Sequence, residues 1–206
     1  MAVTAQMVKE LREETGAAIL DCKKALEQYN GNKEQAKAYL AEKGLVTARR
    51  KAERAADEGK IETYTHHGGR VGVIVEVNCE TDFVANTDRF QELSHDIALH
   101  IAFANPLYID VSDVPEDVLE AQKMAFYEEA KAQGKPDNVI ERIVEGKLEK
   151  YFSEVCLLRQ PFVKDGDVTV GDIITQAIAE LKENVRVRRF ARFELGETDD
   201  EGQGRE

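Results

Sequence analysis

The sequence predicts an α+β fold, on three observations. Several segments set apolar residues at helical spacing between clear stop signals. Val71, Val73, Val75 and Val77 alternate strictly beside Gly68-Gly69, as does a strand buried on one face. Charged residues reach 33% with only four prolines, which favours exposed amphipathic helices over a loop-rich chain. At 206 residues and 42% hydrophobic content, the chain is too apolar to stay disordered and long enough for one or two packed domains.

From the N-terminus, residues 4–44 read as a small three-helix domain. Thr4 caps a helix carrying Met7, Val8 and Leu11, which Thr15-Gly16 ends. A second run sets Ala18, Ile19, Cys22, Ala25, Leu26 and Tyr29 ahead of Asn30-Gly31. Asn32 caps a third, with Ala36, Tyr39 and Leu40 on one face and a stop at Gly44. Residues 45–60, alanine and charge without an apolar stripe, read as a linker with some helix. Lys60–His67 and Arg70–Asn78 form a hairpin whose tight turn uses the positive φ of Gly68-Gly69. A helix then runs from Thr87 through Phe90, Leu93, Ile97 and Ile101 to Asn105-Pro106. Two more, Pro115–Gln133 and Pro136–Cys156, are joined so briefly at Gly134-Lys135 that they form an antiparallel helical hairpin. Its second arm presents Ile140, Val144, Leu148, Tyr151 and Val155. Val170–Asn184 is a further helix, and Val185–Leu195 closes the fold as a strand, with Val185, Val187 and Arg189 alternating against Arg186, Arg188 and Phe190. The domain reading is residues 1–55 for the helical domain with its linker, 56–196 for the core, and 197–206 for a disordered acidic tail.

Charge and motifs exclude several functions. A net charge of −12 repels nucleic acid and anionic membranes from the molecule as a whole. No apolar run approaches the ~18 residues of a membrane span, and the first residues lack a signal-peptide pattern, so the chain reads as cytosolic. Cys22, Cys79 and Cys156 are far apart, without CxxC, and read as reduced thiols rather than a disulfide framework or zinc site. No phosphate-binding glycine loop occurs. His95 and His100 lie about 140° apart around a helix, and His66-His67 face opposite sides of a hairpin tip, so neither pair suits a metal. Cys79 stands beside Glu80 without a cationic activator, which disfavours a catalytic thiol. The basic clusters Arg49-Arg50-Lys51 with Arg54, and Arg186, Arg188, Arg189 and Arg192, are interleaved with acids or alternate along a strand. Nucleic-acid binding through the second cluster is the alternative function; an enzyme has no convergent acid, base or nucleophile behind it.

Thr81-Asp82-Phe83-Val84 resists a bland account. It follows a buried strand, precedes a helix, and sets a large ring in a short polar connection, where the ring either tucks beneath the loop or waits for a partner.

At this point a resemblance becomes specific. Thr15-Gly16-Ala17 with Asp21-Cys22-Lys23-Lys24-Ala25-Leu26, then Val77-Asn78-Cys79-Glu80-Thr81-Asp82-Phe83-Val84-Ala85, Gln160-Pro161-Phe162-Val163 and Arg192-Phe193-Glu194-Leu195-Gly196 resemble the bacterial elongation factor Ts family, over residues 2–196 in the family's order. The resemblance implies a non-enzymatic guanine-nucleotide exchange factor, without cofactor or metal, that releases GDP from the GTPase elongation factor Tu by disturbing its magnesium and phosphate site. It implies that the N-terminal helices form a ubiquitin-associated-like domain and the rest a dimerisation core. The chain is similar to the family's short form, which is expected to pair, giving a two-plus-two complex with the GTPase. Thr81, Asp82, Phe83 and Val84 are implied as the segment that enters the GTPase, with Phe83 as wedge and Asp82 as polar anchor. Arg12, Ile19, Leu20 and Lys23 are implied as its N-terminal contacts. Ile19-Leu20 stand where many members carry methionines, and Val185–Leu195 holds no cysteine that could link paired chains.

Overall fold

A computed structural model describes residues 3–134 and 136–197. The chain divides into two compact units. One comprises the described residues up to Thr63 with Ile74–Asp96 and Asp172–Phe190, the other Tyr64–Val73, Ile97–Gly171 and the described residues from Ala191. Helices and a three-stranded antiparallel sheet together make the expected α+β architecture.

In the first unit, helix α1 (Ala5–Thr15) starts where the Thr4 hydroxyl accepts from the Met7 amide, and ends at Gly16 with φ 63°, whose amide donates to the Arg12 carbonyl. Helix α2 (Ile19–Gln28) and helix α3 (Lys33–Lys51), the latter capped by Asn32, close a core of Val8, Leu11, Cys22, Ala25, Leu26, Ala36 and Leu40. Tyr39 packs on that core, while Ile19 stays outside it.

Helix α3 does not stop at Gly44, as the sequence reading expected. A helical glycine costs only about 1 kcal/mol against alanine. Leucine, alanine and two arginines follow it, and Arg49, Arg50 and Lys51 complement the dipole in the last turn. What remains of the expected linker is residues 52–57, ahead of strand β1 (Glu58–Thr65).

Strand β2 (Val71–Cys79) lies at the centre of the sheet, between β1 and strand β5 (Val185–Glu194). Val73, Val75, Val77 and Cys79 are buried, as the alternation required. The hairpin turn is longer than a two-glycine turn: His66–Arg70 form the loop, the His66 amide donates to the Val71 carbonyl, and Gly68 and Gly69 both take positive φ. Burial along β5 alternates through Val187 and then skips a residue. Arg188 and Arg189 are both exposed and reach the Glu76 carboxylate, and the apolar face resumes at Phe190, reversing the expected facing there.

Three further elements were not legible in advance. A single turn, α4 (Asp82–Ala85), stands where a polar connection was expected, ahead of helix α5 (Asp88–Ala104). Strands β3 (Pro161–Phe162) and β4 (Asp165–Thr169) pair antiparallel, too short to announce themselves by alternation. Helix α8 (Val170–Leu181) ends three residues before the expected Asn184, at Lys182 with φ 63°.

In the second unit, helices α6 (Glu116–Ala132) and α7 (Asp137–Val155) form the expected hairpin. Their direction is antiparallel: Val118 and Leu119, early in α6, share one cluster with Tyr151, Phe152 and Val155, late in α7, and Phe126 of the same cluster meets Lys147, nearer the start of α7, as does Glu129. No helix among the described residues is long and apolar enough to cross a membrane. Of the acidic tail, residues 198–206 lie outside the described residues.

Candidate partner-binding site

The Thr81–Val84 segment is a capped turn with one face inward. Thr81 is extended, and its hydroxyl accepts from the Val84 amide at 3.3 Å. Helical residues point about 100° apart, so burying Val84 and Ala85 sends Asp82 and Phe83 outward. The Phe83 ring is 79% exposed. The turn is closed at its far end by Asn86, whose amide and side chain both donate to the Asp82 carbonyl, and by the Thr87 hydroxyl, which donates to the Val84 carbonyl. Among the described residues no hydrogen bond or ion pair engages the Asp82 carboxylate, which leaves it open to a partner's donor.

A second set of groups holds the turn from outside. Glu183 accepts from the Glu80 amide at 3.1 Å, the Thr81 amide at 3.0 Å and the Thr81 hydroxyl at 2.7 Å. In return Glu80 accepts from the Asn184 amide at 2.6 Å and pairs with Arg54 at 3.4 Å. The Asn184 side chain donates to the carbonyls of Ala52 and Arg54, just past α3. Lys51, the last residue of α3, is buried, and burial pulls its pKa down. Sequence reasoning gave Glu80, Glu183 and Asn184 no role at this site. Glu183 follows the turn by about a hundred residues, and no local pattern marks it; the only signal is the end of the helix before it.

The Cys79 thiol donates to the Thr81 carbonyl at 3.1 Å. Burial, and then the charge of Glu183, push its pKa up to about 11, which makes it a structural donor rather than a nucleophile.

The second predicted group lies on α1 and α2. Arg12 and Lys23 are exposed. Ile19 is 56% and Leu20 69% exposed, so the pair forms an apolar step at the start of α2. Arg12 and Ile19 line one hollow of about 200 Å³ with Ala5, Val8, Lys9 and Glu13; Leu20 and Lys23 do not border it. Lys23 instead lies 3.7 Å from Glu27 along the helix. Helix α8 joins this region to the turn. Gln176 donates to the Thr15 carbonyl at 2.9 Å and Lys182 lies 3.9 Å from Asp21, while Glu183 and Asn184 follow directly. A hydrogen bond from Lys43 holds the Asp21 pKa below its usual value.

The arginines of β5 are engaged. Arg186 donates to the Ala56 carbonyl, Arg188 and Arg189 pair with Glu76, and Arg192 pairs with Glu194 and Glu197. Among the described residues no group of three or more His, Cys, Asp or Glu is placed to hold a metal ion.

Comparison with known proteins covers both regions. A family model described as "Elongation factor TS" matches residues 2–197. The chain is 55% identical to elongation factor Ts of Carboxydothermus hydrogenoformans, over 95% of its own length and 90% of that protein's. It is 55% identical to elongation factor Ts of Heliobacterium modesticaldum, over 95% and 91% of the two lengths. It is 52% identical to elongation factor Ts of Geotalea uraniireducens, over 96% and 91%.

Proposed function

The chain belongs to the elongation factor Ts family of translation elongation factors, and from that premise we propose that it is a guanine-nucleotide exchange factor that binds elongation factor Tu·GDP and promotes GDP release. The single observation that carries this reading is the exposure of Phe83 at the tip of a rigidly capped turn. Exchange needs no covalent chemistry. A factor that weakens nucleotide binding on the GTPase is itself weakened by the nucleotide in the same ratio. Phe83 acts as the wedge that disturbs the magnesium and phosphate site, with Asp82 as its polar anchor and Thr81 and Val84 fixing the backbone between them.

Burying one Phe contributes roughly 1.5–3 kcal/mol, about 10- to 150-fold in an equilibrium constant. A larger displacement of nucleotide needs more area, which Ile19 and Leu20 supply, with Arg12 and Lys23 at their margin. Residues 1–55 are then a recognition domain and 56–196 a dimerisation core. Two chains pair and bind two GTPases, in the cytoplasm, with no direct nucleic-acid contact. The test is stopped-flow release of fluorescent GDP from elongation factor Tu. Phe83→Ala is expected to lower factor-stimulated release at least about tenfold; unchanged release removes Phe83 from the mechanism.

A further inference from the structure

A one-turn helix has no stability of its own, because nucleating a turn fixes several dihedrals for one hydrogen bond. Helix α4 spans four residues and its Phe83 ring leans on almost nothing. The direction of that ring is therefore set by the backbone, and the backbone by what grips its N-terminal edge. From outside residues 79–87, Glu183 grips this edge by accepting from three donors on two residues, the Glu80 and Thr81 amides and the Thr81 hydroxyl.

We propose that Glu183 is a positioning residue that presets the Phe83 turn for its partner, an inference that rests on the exchange-factor reading above. The chemistry lies in the Thr81 hydroxyl. Its single proton goes to the Glu183 carboxylate at 2.7 Å, which leaves its lone pairs free to cap the Val84 amide at 3.3 Å. The other carboxylate oxygen takes the Glu80 and Thr81 amides, two backbone donors for which the described residues offer no other acceptor. Both jobs need an acceptor-only group with two oxygens. A glutamine offers one acceptor and an amide donor that competes for the hydroxyl lone pairs. The left-handed conformation of Lys182, uncommon for a residue with a side chain, turns the chain out of α8 so that Glu183 meets the turn. Asn184 then fastens the same dipeptide to the carbonyls past α3, and Glu80 returns a bond to the Asn184 amide.

A preset turn raises the fraction of molecules ready to bind, and a loosened one lowers apparent affinity by the fraction lost while leaving the saturated rate alone. Glu183→Gln is accordingly expected to raise the half-saturating concentration of the factor in GDP release about tenfold, with the maximal rate within about twofold. In a Phe83→Ala background the same change is expected to cost less than about twofold, because its effect runs through the ring. Equal penalties in both backgrounds overturn the proposal, as does no penalty in either. Amide hydrogen exchange of the free protein reads the same claim without a GTPase. Glu183→Gln should speed exchange at residues 84–86 about tenfold and leave α7 unchanged, and unchanged exchange there also overturns it. If Phe83→Ala alone leaves GDP release untouched, the functional reading fails, and the hydrogen-exchange result still decides whether Glu183 positions the turn. Should Glu183→Gln lose its cooperative unfolding transition, Glu183→Asp carries the same comparison with the charge kept and drawn back by one methylene.

Discussion

Phe83 and Phe90 lie seven residues apart and have opposite fates: one ring is almost fully in water and the other fully buried. Leaving Phe83 exposed forgoes roughly 1.5–3 kcal/mol that burial would contribute, so its replacement should not weaken the fold. Phe83→Ala is expected to keep the thermal midpoint within about 2 °C, measured by circular dichroism, which separates its effect on exchange from any on folding. The cysteines behave oppositely. Cys22, Cys79 and Cys156 are free and buried, and burial raises all three pKa values, Cys79 and Cys156 to about 11. A thiol reagent at about pH 8 should therefore modify the folded protein only as fast as it opens, and all three sites once guanidinium unfolds it. His100 adds a pH dependence. Its Nδ1 accepts from the Val163 amide at 3.2 Å and its Nε2 donates to the Gln160 side-chain Oε1 at 3.0 Å, which fixes a neutral ring, and burial lowers its pKa from the usual 6.5. The unfolded state thus binds the extra proton first, so stability is full above about pH 7 and falls as the pH drops through 6.5. Urea midpoints at about pH 7.5 and 5.5 should show that fall, and His100→Gln should flatten it. At this scale the sequence named the outward ring but not its grip. The family resemblance carries the first, since residue type and spacing alone left the ring either tucked or outward, whereas the Glu183 contact depends on a chain crossing with no local trace.

Among the elements, the helices were the most legible, since period and caps coincide at Thr4, Gly16 and Asn32. Gly44 was misread because glycine is a weak stop when good helix formers follow. Its conformation is helical, and an added Cβ would sit at ordinary contact distance, 3.8 Å, from the Ala179 Cβ. Gly44→Ala should then stabilise the protein by about 0.4–1 kcal/mol. Gly16 is the contrasting case. With φ 63° its Cβ would also overlap the Glu180 carboxylate, which itself holds Arg89, so Gly16→Ala should destabilise by more than about 1 kcal/mol. Chemical denaturation of the two variants checks both signs in one experiment. The short pieces α4, β3 and β4 escaped sequence reading for a common reason. A period needs several repeats to be seen, and these elements are only two to five residues long; α4 is held besides by Glu183, about a hundred residues further on.

For the whole molecule, the α+β class followed from counting periods, and family membership from motifs spread along the chain. The division into compact units did not, because each unit gathers segments far apart in sequence. If two chains pair as proposed, sedimentation should give twice the 23.1 kDa chain mass, and four polypeptides once the GTPase is added; a monomer at micromolar concentration would count against pairing. The arginines of β5 have a wider consequence. Each guanidinium already faces a carboxylate or a carbonyl, so the strand offers polyanions no bare strip of positive charge on a molecule that carries −12 overall. Transfer RNA and ribosomal RNA at physiological salt should slide past it without retention on a filter. A protein that sheds the most abundant anions around it stays free to meet its target by diffusion.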